Sequence, residues 1–181
     1  MILRTKRLVL TDRSTKEDIP SLLKAINDKE IWYFTSSIPY PYTRKDALKY
    51  LKKANEALKK KPRTGYNFYL KFKGKKEIIG AIGLHGVNRE HKKCTIGYWL
   101  DKRHRKQGLI SEAEKVVLDF AFKKLKLNKV SGEAITENKG SNALFKKFGF
   151  RKIGIGKEEL IKKGKKKDVY IWELLKRNYK K

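Results

Sequence analysis

The stretch that decides the fold is Tyr98-Trp99-Leu100-Asp101-Lys102-Arg103-His104-Arg105-Lys106-Gln107-Gly108-Leu109-Ile110-Ser111-Glu112-Ala113. It begins as a strand, continues as a basic loop with one glycine, and leads directly into an amphipathic helix. This arrangement aims free backbone N–H groups and the positive end of the helix dipole at one point. Arg105 and Lys106 add full positive charges there. The segment therefore predicts a binding site for a pyrophosphate.

The usual nucleotide-binding fingerprints are missing from the chain. No Gly-x-Gly-x-x-Gly pattern follows a strand, and no glycine-rich loop ends in Gly-Lys-Ser or Gly-Lys-Thr. ATP and NAD therefore lose their main support as ligands. An ordinary surface loop stays open as the alternative, because basic loops often precede helices.

Strand and helix patterns on both sides of this segment predict a mixed α/β sheet covered by helices. Thr15 with Asp18, and Thr43 with Asp46, resemble capping boxes that start two helices, and Pro62 ends the second. A strand-helix-strand unit among otherwise antiparallel neighbours implies a mixed sheet. The predicted elements are a strand at Arg7–Thr11, helices at Ile19–Asp28 and from Thr43 to Pro62, strands at Tyr66–Lys71, Ile78–His85 and Thr95–Leu100, a helix at Ser111–Leu125, a strand at Lys129–Thr136, a helix at Ser141–Phe148, and strands at Phe150–Lys157 and Lys167–Leu174.

The composition is that of a folded but strongly basic chain. Its 181 residues carry 47 Lys and Arg against 19 Asp and Glu, a formal net charge of +28, while 39% of the residues are apolar. This apolar content is too high for a disordered polycation, and the length suffices for a buried core. No repeat or linker divides the sequence, so we expect a single domain over residues 1–181.

Cysteine usage and hydropathy predict a cytoplasmic protein. Cys94 is the only cysteine, so we expect no intramolecular disulfide and no Cys-x-x-Cys zinc site. The first eleven residues lack the apolar core of a signal peptide. No window approaches the roughly 18 apolar residues of a membrane span. We therefore expect neither metal nor membrane among the partners.

The excess of positive charge has two interpretations. A strong positive field attracts nucleic acid, ribosomes or anionic cofactors. Alternatively, the lysines are a compositional bias of an indifferent surface, since they are scattered along the chain with one dense run at residues 162–167. A dedicated binding face would concentrate charge on one element, which favours the compositional interpretation.

Several motifs occur in an order that resembles one family, the GNAT superfamily of N-acetyltransferases. The run Arg105-x-x-Gly108-x-Ile110 is similar to its acetyl-CoA loop, although Ile110 stands where the pattern prefers Gly or Ala. Six further motifs resemble the Rim-type subgroup, which acetylates protein N-termini and has relatives acting on polyamines. They are Arg7-Leu8-Val9-Leu10, Pro39-Tyr40-Pro41-Tyr42-Thr43, Ile79-Gly80-Ala81-Ile82-Gly83-Leu84-His85, Ile96-Gly97-Tyr98-Trp99-Leu100, Asn138-x-x-Ser141 and Lys147-Phe148-Gly149-Phe150.

The resemblance implies a fold and a cofactor site. The fold is a GNAT fold with about seven strands in a mixed, mostly antiparallel sheet, helices on both faces, and strands four and five splayed apart. The implied donor is acetyl-CoA, with no metal. The implied cofactor-binding residues are Tyr98, Trp99 and Leu100 for the pantetheine arm, Arg105, Lys106, Gln107, Gly108, Leu109 and Ile110 for the pyrophosphate, and Asn138 for the cofactor arm.

Acetyl transfer also needs a proton donor for the thiolate and an uncharged amine. Many GNAT members carry a tyrosine acid where this chain has Phe145, so Ser141 inherits the acid role by resemblance. Alternatively, Asn138 and Ser141 only cap the following helix. The general base stays open: Glu133, His85 and Glu137 are candidates, as is ordered water, and we take Glu133 as the catalytic carboxylate.

The acceptor is the least determined part of the sequence-based prediction. The leading hypothesis is the N-terminal α-amine of a protein, of the ribosomal-protein type. A polyamine or small amine is an alternative that the charge of +28 disfavours, and an inactive ribosome- or RNA-binding module is another. Aromatic residues between the first two helices are expected either to line a peptide pocket or to pack in the core: Tyr33, Phe34, Tyr40 and Tyr42.

Overall fold

A computed structural model describes residues 1–179 and contains one eight-stranded sheet. The spatial order is β1-β2-β3-β4-β5-β6-β8-β7, and every neighbouring pair is antiparallel except β5 and β6, which are parallel. The strands are β1 (Ile2–Arg4), β2 (Leu8–Thr11), β3 (Tyr66–Phe72), β4 (Gly80–Asn88), β5 (Lys93–Leu100), β6 (Lys129–Ile135), β7 (Arg151–Lys162) and β8 (Lys165–Leu175).

Five α-helices within residues 1–179 cover the sheet. They are α1 (Ile19–Ile26), α2 (Lys29–Phe34), α3 (Arg44–Lys59), α4 (Leu109–Asp119) and α5 (Lys139–Lys147). A π-helical turn at Phe120–Lys124 extends α4, and 3-10 turns lie at Lys16–Asp18, Lys102–His104 and Lys176–Asn178. The capping box of α3 forms as its sequence predicts, because Asp46 N donates to Thr43 Oγ1 at 3.2 Å and Thr43 N donates to Asp46 Oδ2 at 2.9 Å.

The predicted mixed, mostly antiparallel sheet is confirmed, with one strand more than expected. The additional strand, Ile2–Arg4, pairs with β2 at the edge of the sheet. A strand of three residues is too short to be predicted from an alternating sequence pattern. The predicted helix at Ile19–Asp28 ends at Ile26, because Asn27 leaves the helical conformation. A helix that was not predicted, α2, follows it, and Asp28 caps α2 by accepting from Glu30 N at 2.9 Å.

Two hydrophobic clusters lie on opposite faces of the sheet. Alternate residues of the central strands pack under α4 and α5, and we call this side the α4 face; the other side, under α1 and α3, is the α3 face. On β5, for example, Ile96 and Leu100 face α4, whereas Trp99 packs with the α3 cluster. This alternation decides which side chains can meet on each side of the sheet.

The single cysteine, Cys94, lies on β5 in the core under α4 and is 3% exposed. Burial raises the pKa of its thiol to about 12. Within residues 1–179, no helix has the length and apolar character needed to cross a membrane.

Candidate functional site

The parallel strands β5 and β6 separate after a short paired stretch. Their register holds from Lys93 with Lys129 to Thr95 with Ser131, and no pair follows, although both strands continue. From residue 96 to 100, β5 remains paired with β4 only. The backbone of β5 therefore has a free edge that faces a V-shaped opening. This separation is the splay that was predicted between strands four and five. Because the additional strand β1 precedes them, the two strands are numbered β5 and β6 here.

The basic loop lies at the wide end of this opening. Backbone N–H groups from residue 106 to residue 111 donate no hydrogen bond to any residue between 1 and 179. Three of them belong to the first turn of α4, where helix geometry leaves N–H groups unpaired and the dipole favours an anion. The loop thus offers a row of free donors in one place.

Gly108 makes this loop possible. It caps α4 with φ +75°, a left-handed conformation in which other residues are strained. Lys106 is also left-handed, at φ 60°. Arg7 stabilises the arrangement from outside, since its Nη2 donates to Gln107 O at 3.0 Å and its Nε to Glu112 Oε2 at 2.8 Å. No local pattern predicts this role for Arg7 or Glu112, because the two residues lie 105 positions apart in the sequence.

Asp101 fixes the start of the loop. It is 2% exposed and accepts hydrogen bonds from Arg103 N at 3.0 Å and from Arg103 Nε at 2.9 Å. Burial alone would raise the pKa of this carboxyl, but the bonds from Arg103 hold the pKa below its ordinary value. The signal in the sequence for this role is an aspartate directly after a strand and before a basic run.

Arg105 does not extend toward the free N–H groups, contrary to the simplest expectation. Its Nη2 donates to Asp28 Oδ2 at 2.9 Å, its Nη1 pairs with Glu30, and its Nε donates to Leu100 O at 3.2 Å. The guanidinium therefore ties the loop to the N-terminus of α2. The other loop side chains divide between solvent and core: Lys106 and Gln107 are exposed, Leu109 is buried, and Ile110 packs against the core under α4.

Asn138 and Ser141 lie on the opposite wall of the opening. Asn138 caps α5, since its Oδ1 accepts from Ser141 N at 3.0 Å, as the capping interpretation expects. The Ser141 hydroxyl lies beside the buried hydroxyl of Tyr98, which projects from β5 to the α4 face. Burial raises the pKa of Tyr98, so its phenol stays protonated at neutral pH. Two neutral hydroxyls thus meet where β5 and α5 approach each other.

Phe145 and Asn142 hold α5 in this position. The Phe145 ring lies so close to β6 that a Cβ on Gly132 would be 2.4 Å from its Cζ, which requires glycine at that position. Asn142 is buried and donates to Ile135 O at 3.1 Å while accepting from Trp172 Nε1 at 3.0 Å. The role of Asn142 was not predicted, because in the sequence it is one of several polar residues in a short helix.

His85 and Glu133 lie on the α3 face, on either side of the opening. Their chain neighbours Leu84 and Gly132 contact the α4 side, so strand alternation sends both side chains to the other face. Both are exposed. Partial desolvation lowers the pKa of His85, so its imidazole is neutral at pH 7 and can accept a proton.

Glu137 is occupied by other contacts. Its carboxylate accepts from Tyr33 Oη at 2.8 Å and from Lys167 Nζ at 2.8 Å. The bond from Lys167, then that from Tyr33, lowers the pKa of Glu137, which makes this carboxylate a weaker base than an unpaired one. These contacts connect α2, the β6–α5 loop and β8.

The aromatic residues between α1 and α3 differ in burial. Tyr42 is 7% exposed and belongs to the core on the α3 face, whereas Tyr40 is exposed. Tyr33 and Phe34 are half-buried on α2 and stack edge to face, with ring centroids 5.1 Å apart.

The site combines donors for an anion, a free strand edge and candidate acid and base groups. An extended amide-bearing chain can pair with residues 96–100 of β5 as a further strand would, and its anionic end can reach the free N–H groups after Leu100. Among residues 1–179, no group of three or more His, Cys, Asp or Glu side chains is arranged to hold a metal ion. The geometry is that of a site for a long, phosphate-bearing ligand.

Comparisons with known proteins agree with this geometry. A family model described as the Acetyltransferase (GNAT) domain matches residues 7–151. The uncharacterized N-acetyltransferase YoaA of Bacillus subtilis is 25% identical over 183 residues, covering 97% of each chain. The ribosomal-protein-serine acetyltransferase of Escherichia coli is 31% identical over 74 residues, which is 41% of each chain.

A solved structure has the same architecture over the whole chain. The ribosomal-protein-S5-alanine acetyltransferase of Vibrio fischeri superposes with a TM-score of 0.85 at 19% identity, covering all of both chains. At this identity the likeness concerns the fold.

Proposed function

The chain belongs to the GNAT acetyltransferase family and is an acyltransferase of its Rim-type subgroup, and from that premise we propose that it acetylates the N-terminal α-amine of a protein. The proposed donor is acetyl-CoA. The observation that carries the proposal is the free edge of β5 beside a loop of unpaired N–H groups. We further propose that the whole chain acts as one domain, in the cytoplasm.

The residues that would hold acetyl-CoA follow the free edge and the loop. Backbone groups of Tyr98, Trp99 and Leu100 would pair with the pantetheine arm, and N–H groups of the loop would bind the pyrophosphate. The Arg105 guanidinium is paired with Asp28 and Glu30. Arg105 would therefore contribute to cofactor binding through its backbone and by holding the loop against α2. Asn138 would bind the arm from α5. Bound acetyl-CoA supplies an activated acetyl thioester.

Glu133 and Ser141 are the proposed proton-transfer groups. The exposed Glu133 carboxylate would accept a proton from the incoming ammonium on the α3 face, leaving an uncharged amine. Ser141 would donate its hydroxyl proton to the departing thiolate on the α4 face and would regain a proton from solvent, because burial raises the pKa of the neighbouring Tyr98 phenol and makes it a weaker acid. His85 is a second candidate for the base, because it is neutral and exposed.

A peptide acceptor is favoured over a polycation by charge. The net charge of +28 repels a polyamine, and Asp12, a buried carboxylate of the α3 face, is already paired with Arg63 at 2.9 Å. A small-amine acetyltransferase is the second candidate function. An inactive ribosome- or RNA-binding module is the third, and transfer to any amine would exclude it.

The donor assignment is tested by replacing the glycine that caps α4. In Gly108→Glu, a carboxylate occupies the proposed pyrophosphate site on a strained backbone, so affinity for coenzyme A should fall by more than tenfold in calorimetry. Gly74→Glu is the matched control, since Gly74 has a similar φ of +73° with nothing near its Cβ position. Equal affinity of the two variants would refute the donor site.

The acceptor assignment is tested by a screen. Peptides with varied N-termini are incubated with acetyl-CoA beside spermidine and other free amines, and released thiol is measured. We expect peptide turnover to exceed amine turnover. Efficient acetylation of spermidine alone would instead establish the second candidate function.

A further inference from the structure

Helix α3 concentrates positive charge on one element. Six of its 16 residues are exposed lysines or arginines, whereas no other α-helix in residues 1–179 has more than three. They are Arg44, Lys45, Lys49, Lys52, Lys53 and Lys59. None of the six forms an ion pair with a described residue. The positive charge of α3 is therefore available to a partner.

The dense lysine run of the β7–β8 hairpin is different, because contacts within the protein occupy most of it. Lys162 is buried and donates to two backbone carbonyls. Lys166 pairs with Glu158, and Lys167 pairs with Glu137. The densest run in the sequence is thus largely compensated, and α3 has more cations that are not.

Four lysines of α3 form a straight line on its solvent side, which we call the lysine line. They are Lys45, Lys49, Lys52 and Lys59. Intervals of four, three and seven residues place them on one face of a helix, and the line is about 21 Å long at about 1.5 Å per residue. The helix buries Ala47 and Leu51 on its other side. Glu56 is the one acid that falls within the line.

The composition of the lysine line favours a nucleic-acid double helix as its partner. Lysine side chains bind the phosphates of a nucleic-acid backbone as point charges. A protein partner needs apolar or aromatic anchors, and a single strand stacks its bases on aromatic rings, but the line contains neither kind of side chain. Double-stranded RNA is bound through its phosphates and its shape instead.

Helix α3 also lies on the same face of the sheet as the candidate bases. Leu58 of α3 and His85 of β4 border one cavity of about 150 Å³. Glu133 projects to this face from the other side of the opening. A double helix on the lysine line would therefore hold its bound proteins on the side of the sheet where proton transfer from the acceptor is proposed.

We propose that the lysine line of α3 binds the phosphate backbone of double-helical RNA and docks the enzyme on an RNA–protein particle that carries its acceptor. The choice of RNA over DNA rests on the proposed function, because the proposed acceptor is of the ribosomal-protein type. The compositional interpretation of the charge then holds for lysines elsewhere on the surface and not for α3.

The test measures binding of an RNA duplex to the full-length protein by fluorescence anisotropy between about 50 and 200 mM salt. The variant that combines Lys45→Gln, Lys49→Gln, Lys52→Gln and Lys59→Gln should bind at least tenfold more weakly. Its slope of log Kd against log salt should fall by about 3–4, since each phosphate contact contributes about 0.9. Glutamine is a good helix former, so the fold should be retained.

The matched control removes four exposed lysines from other elements. It combines Lys73→Gln, Lys76→Gln, Lys124→Gln and Lys126→Gln. Both fourfold variants lower the net charge from +28 to +24, so they differ only in where the charge is lost. The control should bind RNA within threefold of wild type.

Glu56→Lys tests the lysine line by a gain of affinity. It fills the position at which the line carries an acid, so RNA binding should become at least threefold tighter. Glu77→Lys adds the same charge at an exposed position between β3 and β4 and should leave RNA affinity unchanged.

Four results would overturn the inference. Equal losses in the two fourfold variants would show that net charge alone acts. Equal affinity for polyglutamate would indicate an acidic protein as the partner, tighter binding of single-stranded RNA would exclude the double helix, and tighter binding of a DNA duplex would exclude RNA.

Acetyl transfer to a free peptide separates this inference from the proposed function. The fourfold α3 variant should retain wild-type turnover of such a peptide, because no donor-site residue is changed. RNA binding that depends on the lysine line, in a protein that transfers no acetyl group, would refute the proposed function and retain the docking surface. Peptide turnover without RNA binding would refute the docking surface alone.

Discussion

At the scale of single residues, Glu114 is the most unusual group in the molecule. It lies on α4 with 0% exposure, and neither carboxylate oxygen has a hydrogen-bond partner within residues 1–179. Burial raises its pKa from 4.5 to about 8. Tyr98 and Tyr179 are the titratable groups near it, and both are neutral at pH 7 because burial raises their pKa values. A hydrophobic residue would fill this position at lower cost.

Glu114→Gln should change how stability depends on pH. The folded pKa lies above the unfolded one, so the wild-type protein takes up a proton on folding and loses stability as pH rises from about 4.5 to about 8. The variant lacks this decline. Its advantage over wild type should therefore grow across that range by about 2–5 kcal/mol, at about 1.4 kcal/mol per pKa unit. Urea unfolding at pH 5, 7 and 9 measures it.

Glu112→Gln is the control with the opposite sign. Although burial opposes it, hydrogen bonds from Thr5 and Arg7 lower the pKa of Glu112, so its ionised form stabilises the fold above the unfolded pKa. This variant should lose stability at pH 7, and the loss should disappear in acid. Parallel pH curves for wild type and Glu114→Gln would show that Glu114 is ionised in the folded protein.

At the scale of elements, the contact between α5 and β6 positions one wall of the site. Gly132→Ala places a Cβ 2.4 Å from Phe145 Cζ, so it should destabilise the protein by about 1–3 kcal/mol, as overpacking does. Phe145→Leu in the same chain should recover part of the loss in thermal unfolding. Gly154→Ala is the matched strand control, because its Cβ would meet only Ile171 Cδ1 at 3.9 Å. Equal stability of the two glycine variants would contradict this packing argument.

Lys162 of the β7–β8 hairpin binds the backbone of α2 directly. Lys162 is 6% exposed, and its Nζ donates to Trp32 O and Thr35 O at 2.7 Å each. Lys162→Met should leave both carbonyls unpaired and loosen α2. Because each bond to a charged group contributes about 1.5–3 kcal/mol, hydrogen exchange across residues 29–35 should accelerate at least tenfold.

Lys165→Met is the control for the hairpin. Lys165 is exposed at the tip of the same hairpin, so its replacement should leave exchange in α2 unchanged. If Lys162→Met also left exchange unchanged, the other contacts of α2, including those of Glu30 with Arg105 and of Tyr33 with Glu137, would suffice to hold the helix.

Local signals in the sequence predicted the central elements, and tertiary contacts decided the rest. The helix after Gly108 and the strands around it were predictable, because amphipathic periodicity and a positive-φ glycine are local. Helix α2 was not, since its run of aromatic residues lacks a polar face and its cap follows directly on α1. The orientation of Arg105 was also unpredictable, because Asp28 and Glu30 lie more than seventy residues away along the chain.

At the scale of the whole molecule, the net charge of +28 determines how strongly the protein is attracted to large anions. Exposed lysines occupy both α3 and the tip of the β7–β8 hairpin, so the excess is spread over several elements. We predict that the protein co-sediments with ribosomes at low salt and that the bound fraction falls steeply between about 50 and 200 mM salt. Salt-independent co-sedimentation would contradict electrostatic docking, and absence of binding at low salt would support the compositional interpretation.

The buried Cys94 is a chemical probe of unfolding that the protein already contains. A thiol that is 3% exposed, with a pKa of about 12, reacts with Ellman's reagent only when the surrounding core opens. The modification rate of this one sulfur therefore ranks the opening free energies of the Glu114, Gly132 and Lys162 variants on a common scale. Because Cys94 does not react in the folded protein, it adds no background to a thiol-release assay. The colour change in that assay then measures the acetyl groups transferred.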